Sequence, residues 1–157
     1  MDEFFLRWHI ASPGSATFSL VLPEEVVEVH TTYVGDGLGS LLQAAVDLQG
    51  GSSSAIGFLP AEPGGTCIFF GGAGSSVYAQ VVHFDDMSSE TRRWAGGRLR
   101  WHGHLNVERF VRQALAMAED VLAEYDNADA YSRAWGGIPF PQDKLQLLRD
   151  RIADKPT

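Results

Sequence analysis

Two histidines separated by one residue form the most metal-like feature of this sequence, in the segment Trp101-His102-Gly103-His104. Side chains two residues apart on a β-strand point the same way, so both imidazoles could bind one metal ion. A usable site needs a third ligand, for which His30, His83, Asp85 and Asp86 are the candidates. A small metal- or ligand-binding enzyme that uses the His102/His104 strand face is therefore one hypothesis.

The alternative interpretation is that these histidines belong to the wet side of an ordinary half-buried strand. Its polar side would carry Arg98, Arg100, His102 and His104. Its core side would carry Leu99, Trp101 and Leu105. We favour this interpretation, so the sequence predicts no metal site and no cofactor.

Other catalytic motifs are absent from the sequence. There is no Gly-x-Ser-x-Gly nucleophile elbow, and Cys67, the single cysteine, lies in an apolar run typical of a core strand. The glycine-rich segments are not followed by the Lys-Ser/Thr pair of a phosphate loop, so turn formation explains them. Adjacent carboxylates such as Glu24 and Glu25 are usually solvated surface groups. We assign no catalytic residue.

The charge balance is acidic, with 12 Lys and Arg against 20 Asp and Glu and a net charge of −8. Such a chain is poorly suited to a phosphate backbone, so nucleic acid is not expected as a ligand. An acidic run follows the middle of the clearest helical segment, and it comprises Glu119, Asp120, Glu124, Asp126 and Asp129. Complementary charge speeds encounter while buried aromatics supply affinity, so Trp94 and Trp135 are the expected anchors for a basic protein partner.

Packing is the competing role for Trp135, and we favour it because aromatic residues dominate core burial. Tyr131, Trp135 and Phe140 are spaced around a glycine pair between the last two helical segments, which predicts a structured aromatic clasp.

Hydrophobic periodicity predicts six strands and three helices. Period-two alternation indicates strands at 17–22, 26–34, 55–59, 66–70, 77–84 and 98–105. A helix capped by Asp36 ends at Gly50, and a long amphipathic helix capped by Asn106 follows the last strand. A final helix follows Pro141. The order ββαββββαα predicts a single α+β domain over residues 1–157, with helices packed on one face of one antiparallel sheet.

Targeting signals are not expected. Acidic residues stand where a signal peptide has basic ones, and no apolar run reaches the ~20 residues that cross a bilayer. We therefore expect a cytoplasmic protein without a membrane partner.

The chain resembles a group of small actinobacterial proteins over almost its whole length. The matching features are GDGLGSLLQAAVDLQGG, Glu62-Pro63-Gly64, YAQVVHFDD, and Tyr131 to Trp135 with Phe140, Pro141 and Leu145. Proteins of this size and arrangement are similar to the immunity proteins that accompany polymorphic contact-dependent toxins. The resemblance implies a cytoplasmic binder that neutralises a cognate toxin, with no catalytic residue. A structural subunit of a larger complex and a homo-oligomer both remain compatible with the same sequence.

Overall fold

The computed structural model describes residues 3–72 and 74–154. They form seven strands and four helices. The strands are β1 Phe5–Ser12, β2 Ser15–Val21, β3 Val26–Thr32, β4 Ser54–Ala61, β5 Gly64–Gly71, β6 Ser76–Phe84 and β7 Arg98–Asn106. The helices are α1 Gly37–Gln49, α2 Val107–Glu124, α3 Ala128–Ala134 and α4 Gln142–Ala153. Ala73, in the glycine-rich turn between β5 and β6, lies outside the described residues.

The α+β class is confirmed, but the prediction of one six-stranded sheet is wrong. The strands form two antiparallel sheets, a three-stranded sheet of order β1-β2-β3 and a four-stranded sheet of order β4-β5-β6-β7. Hydrophobic periodicity predicted neither β1 nor the short helix α3. In β1, Leu6 and Trp8 face the core while Arg7 and His9 face outward, so the two polar residues lie on the solvent-exposed side of a strand.

Both predicted N-caps are confirmed. The Asp36 carboxylate accepts a hydrogen bond from the Gly39 amide at 2.8 Å, and the Asn106 side-chain oxygen accepts one from the Arg109 amide at 2.8 Å. These bonds satisfy amide groups that have no partner within the helix, which explains why α1 and α2 begin where they do.

One cluster of buried side chains draws on both sheets and on all four helices. Phe70 of β5 packs on Phe110 of α2 with ring centroids 4.9 Å apart. Gly57 of β4 lets Leu41 of α1 come close to the sheet. Thr31 of β3 donates a hydrogen bond to the carbonyl of Pro60 at 2.8 Å, which links the two sheets. The helices thus cover the inner face of the four-stranded sheet and leave its outer face without a helix.

Candidate protein-binding surfaces

The predicted acidic run lies at the surface, on the last two turns of α2, in the turn that follows and at the start of α3. The five side chains are all exposed, and they are Glu119, Asp120, Glu124, Asp126 and Asp129. Glu119 pairs with Arg149 of α4 at 3.6 Å. Among residues 3–72 and 74–154, the other four carboxylates form no ion pair. We call these five residues the acidic surface.

The acidic surface is unfavourable for the helix that carries it. The C-terminal end of a helix bears a partial negative charge, and the last turn of α2 contains no basic residue to offset it. Asp120 and Glu124 are also four residues apart, so their like charges face one another across one turn. Helix stability therefore gives no reason for this placement of acids.

An aromatic cluster lies next to the acidic surface. Tyr125 meets Tyr131 edge to face at 5.5 Å between ring centroids, and Tyr131 stacks on Trp135 at 6.0 Å. Phe140 and Trp8 complete the cluster. Burial and the neighbouring charge of Glu124 raise the pKa of Tyr125. The predicted aromatic clasp is present, and it fixes the turn between α2 and α3.

Trp135 does not lie on the surface, so its predicted role as a partner anchor is wrong. Its side chain is 0% exposed, and the indole Nε1–H donates a hydrogen bond to the carbonyl of Gly35 at 3.3 Å. A large aromatic ring with a satisfied polar edge is typical of core packing. The competing packing interpretation of Trp135 fits this position.

The two histidines of β7 point the same way, as predicted, but they contact a tyrosine. The ring of Tyr78, opposite His104 on β6, lies 5.3 Å from that of His104, and its hydroxyl is 3.0 Å from His102 Nδ1. His83 lies at the far end of β6 and contacts Thr66 and Asp85. His30 belongs to the other sheet.

Among the described residues, the metal hypothesis therefore lacks its third ligand. Within the described part of the chain, no three His, Cys, Asp or Glu side chains are grouped for a metal ion. Cys67 is a poor nucleophile as well, because burial raises the pKa of its thiol to about 11.

Leu99 does not lie in the core, contrary to the prediction. A β-bulge shifts the register so that Val81 pairs with Trp101 while Val82 pairs with Leu99. The extra residue, Arg100, turns Leu99 to the outer face, where it is 53% exposed. Periodicity alone could not locate this bulge.

The outer face of the four-stranded sheet is an apolar surface that the sequence analysis missed. One row across the strands contains Phe58, Cys67, Val82 and Leu99. The next row contains Ile56, Phe69, Gln80 and His102. A signal was available: unbroken apolar runs in β4 and β5 indicate strands that are apolar on both faces.

The loop between β6 and β7 covers part of this outer face through Trp94. The indole packs on Phe84 at 5.5 Å and on Phe58 at 6.5 Å between ring centroids, and it remains 51% exposed. Cys67 and Phe84 are buried, yet they lie outside the main core cluster, which places them under this loop. The predicted position of Trp94 as a surface aromatic is consistent with this geometry.

A groove of about 630 Å³ lies between the end of α1, the start of α2 and the end of α4. Its walls include Val111, Arg112, Arg151 and Ile152. None of the candidate histidines lines it, so the groove and the histidine pair do not form one site.

No helix in the described ranges is long and apolar enough to cross a membrane. Comparison of the chain with protein-family models, curated proteins and solved structures found no match. The resemblance to immunity proteins therefore stays a prediction.

Proposed function

We propose that this chain is a non-enzymatic protein-binding module whose acidic surface recognises a basic protein. The observation that carries the proposal is the set of exposed, mostly unpaired carboxylates at the C-terminal end of α2. They are unfavourable for the free helix, and a basic partner would neutralise them. Binding sites commonly keep such residues at a cost in stability.

The chemistry of the remaining surface supports a binding role over catalysis. The histidine pair has no third ligand in the described residues, and the buried Cys67 is shielded from reaction. Tyr125 and Tyr131, which lie among the acidic residues in sequence, pack into the aromatic cluster, and an ordered backbone there would lower the entropy lost on binding. By its resemblance to immunity proteins, the module would act by neutralising a toxin.

Capture with three matched baits tests the proposal. The baits are the wild-type chain, the double variant Glu124→Lys/Asp126→Lys, and a control double variant Glu24→Lys/Glu25→Lys with the same net charge. We expect a basic protein to bind the wild-type chain and the control and to be lost from the α2 variant. A partner retained equally by all three baits would exclude the acidic surface.

Toxin neutralisation requires a separate test with the captured partner. Expression of that partner alone in a bacterial host should arrest growth, and co-expression with the wild-type chain should restore it. If the partner binds through the acidic surface but is harmless, the binding proposal stands and the immunity-like role is wrong.

A further inference from the structure

Strand β7 and the loop before it, beside the outer face of the four-stranded sheet, carry a second group of charges opposite in sign to the acidic surface. Between Glu90 and Glu108 the chain carries four arginines and two histidines without a single acidic residue. These residues are Arg92, Arg93, Arg98, Arg100, His102 and His104. In a chain of net charge −8, these four arginines make the molecule electrically polarised.

Two of these arginines have no acidic partner among the residues that the structure describes. Arg98 pairs with Asp85 at 2.9 Å, and Arg92 lies close enough to Asp86 to help lower the pKa of that carboxyl. Within the described ranges, no ion pair engages Arg93 or Arg100. Both guanidinium groups are therefore available for a carboxylate from another molecule.

Large apolar side chains share this face: Trp94 and Leu99 adjoin the arginines in sequence, and Ile56 lies on the opposite edge strand, β4. Ile56, Trp94 and Leu99 are each about half exposed, at 53%, 51% and 53%. Phe58 and Phe69 lie partly buried between them on the same face of the sheet. Trp and Arg around an apolar centre are the residue types that dominate binding energy at protein interfaces.

The backbone at Trp94 is held in an unfavourable conformation. Its φ is +69°, in the left-handed region that large side chains seldom adopt. The Asp86 carboxylate anchors the start of this loop by accepting hydrogen bonds from the Ser88 and Ser89 amides, each at 3.1 Å. The loop is thus built to present the indole at the edge of the apolar face.

We propose that this face is a docking site for an acidic segment of a partner protein that also carries large apolar side chains. Arg93 and Arg100 would pair with its carboxylates, while Leu99, Ile56 and Trp94 would pack on its apolar residues. Ile56 and Leu99 offer nothing to a phosphate backbone, which favours protein over nucleic acid. A symmetric contact with a second copy would place arginines against arginines. This site is separate from the acidic surface.

A displayed library of random peptides, selected on the full chain, tests the proposal. We expect enrichment of peptides rich in Asp and Glu that contain Trp, Phe or Leu. Their affinity should fall at least about tenfold in Arg93→Glu/Arg100→Glu and in Leu99→Ser. The control Arg7→Glu/Arg133→Glu, with the same net charge as the arginine variant, should bind them like the wild-type chain.

Four outcomes overturn the proposal. One is a selection that enriches no acidic, apolar peptide. Another is a set of enriched peptides that bind the Arg93→Glu/Arg100→Glu variant normally. The third is tighter binding of a labelled single-stranded RNA than of the peptides at this face. The fourth is sedimentation that shows self-association of the wild-type chain and its loss in Leu99→Ser, because the occupant would then be a second copy.

Discussion

Trp94 meets Phe84 edge to face, with ring centroids 5.5 Å apart and ring planes inclined at 83°. This contact joins the loop after β6 to the last residue of that strand, on the side of the sheet that no helix covers. It buries Phe84 almost fully while half of the indole stays exposed. Trp94 thus covers Phe84 at one end of this sheet face and also presents an exposed aromatic ring there.

The left-handed backbone at Trp94 predicts an unusual order of stability for its variants. Trp94→Ala should lower the free energy of unfolding by about 2 kcal/mol, since half an indole is buried. Trp94→Gly should be about 0.5–1 kcal/mol less destabilising than Trp94→Ala, because glycine adopts a φ of +69° without strain. Urea unfolding of both variants measures the difference. Greater stability of the alanine variant would show that the backbone there is unstrained.

Acid should open the start of the same loop through Asp86. Hydrogen bonds from Ser89 and Ser88 lower the pKa of this carboxyl below its ordinary value of 3.8. The ionised Asp86 carboxylate therefore stabilises the loop above pH 3.8. That stabilisation is lost as the pH falls through the pKa of the folded state, because the carboxyl is then protonated. The amide resonances of Ser88 and Ser89 should therefore shift in strong acid.

The control for this titration is Asp86→Asn, whose amide oxygen still accepts hydrogen bonds but does not titrate. The acid-dependent shift should be absent in this variant. The same shift in both proteins would assign the transition to another group.

The aromatic cluster predicts opposite effects for two neighbouring substitutions. Trp135→Ala should destabilise the fold by about 3–5 kcal/mol, because the indole is fully buried. The Tyr131 hydroxyl is buried with no hydrogen-bond partner in the described part of the chain. Tyr131→Phe should therefore be neutral or stabilising, by up to about 1 kcal/mol. Thermal unfolding compares the two, and a large loss in Tyr131→Phe would reveal a partner for that hydroxyl.

The placement of Glu124 predicts that its neutralisation stabilises the free protein. Glu124→Gln removes a negative charge from the end of α2 and its repulsion with Asp120, which should add about 0.5–1 kcal/mol to the free energy of unfolding. Glu25→Gln, at an exposed turn, is the matched control and should change it little. Lower stability in Glu124→Gln would mean that the acid has a stabilising contact in the free protein.

Much of the fold follows from local signals in the sequence. Asp36 and Asn106 mark their helices because capping depends only on neighbouring residues. Six strands follow from alternation of polar and apolar residues. The division of the strands into two sheets does not follow from this alternation, because strand pairing depends on contacts between distant segments. Strand β1 was not predicted because Phe5 is apolar yet 41% exposed. Two adjacent apolar residues, Phe5 and Leu6, therefore interrupt the alternation of polar and apolar residues.

The candidate surfaces were predictable to different degrees. The exposed position of the acidic surface was predictable, because charged residues on the polar side of an amphipathic helix remain at the surface when the helix packs. Trp135 was misassigned because an aromatic residue near a glycine pair fits either a core or a surface position. Leu99 was misassigned because the bulge at Arg100 reverses its side, and no residue type encodes that reversal.

The association rate with the captured basic partner, measured over a range of salt concentrations, tests the central claim most directly. Glu124→Lys/Asp126→Lys should associate more slowly than the wild-type chain and with a weaker dependence on salt, because it removes steering charges. The control Glu24→Lys/Glu25→Lys, equal in net charge, should stay close to the wild-type chain. Equal slowing in both variants, or no change in either, would contradict recognition through the acidic surface.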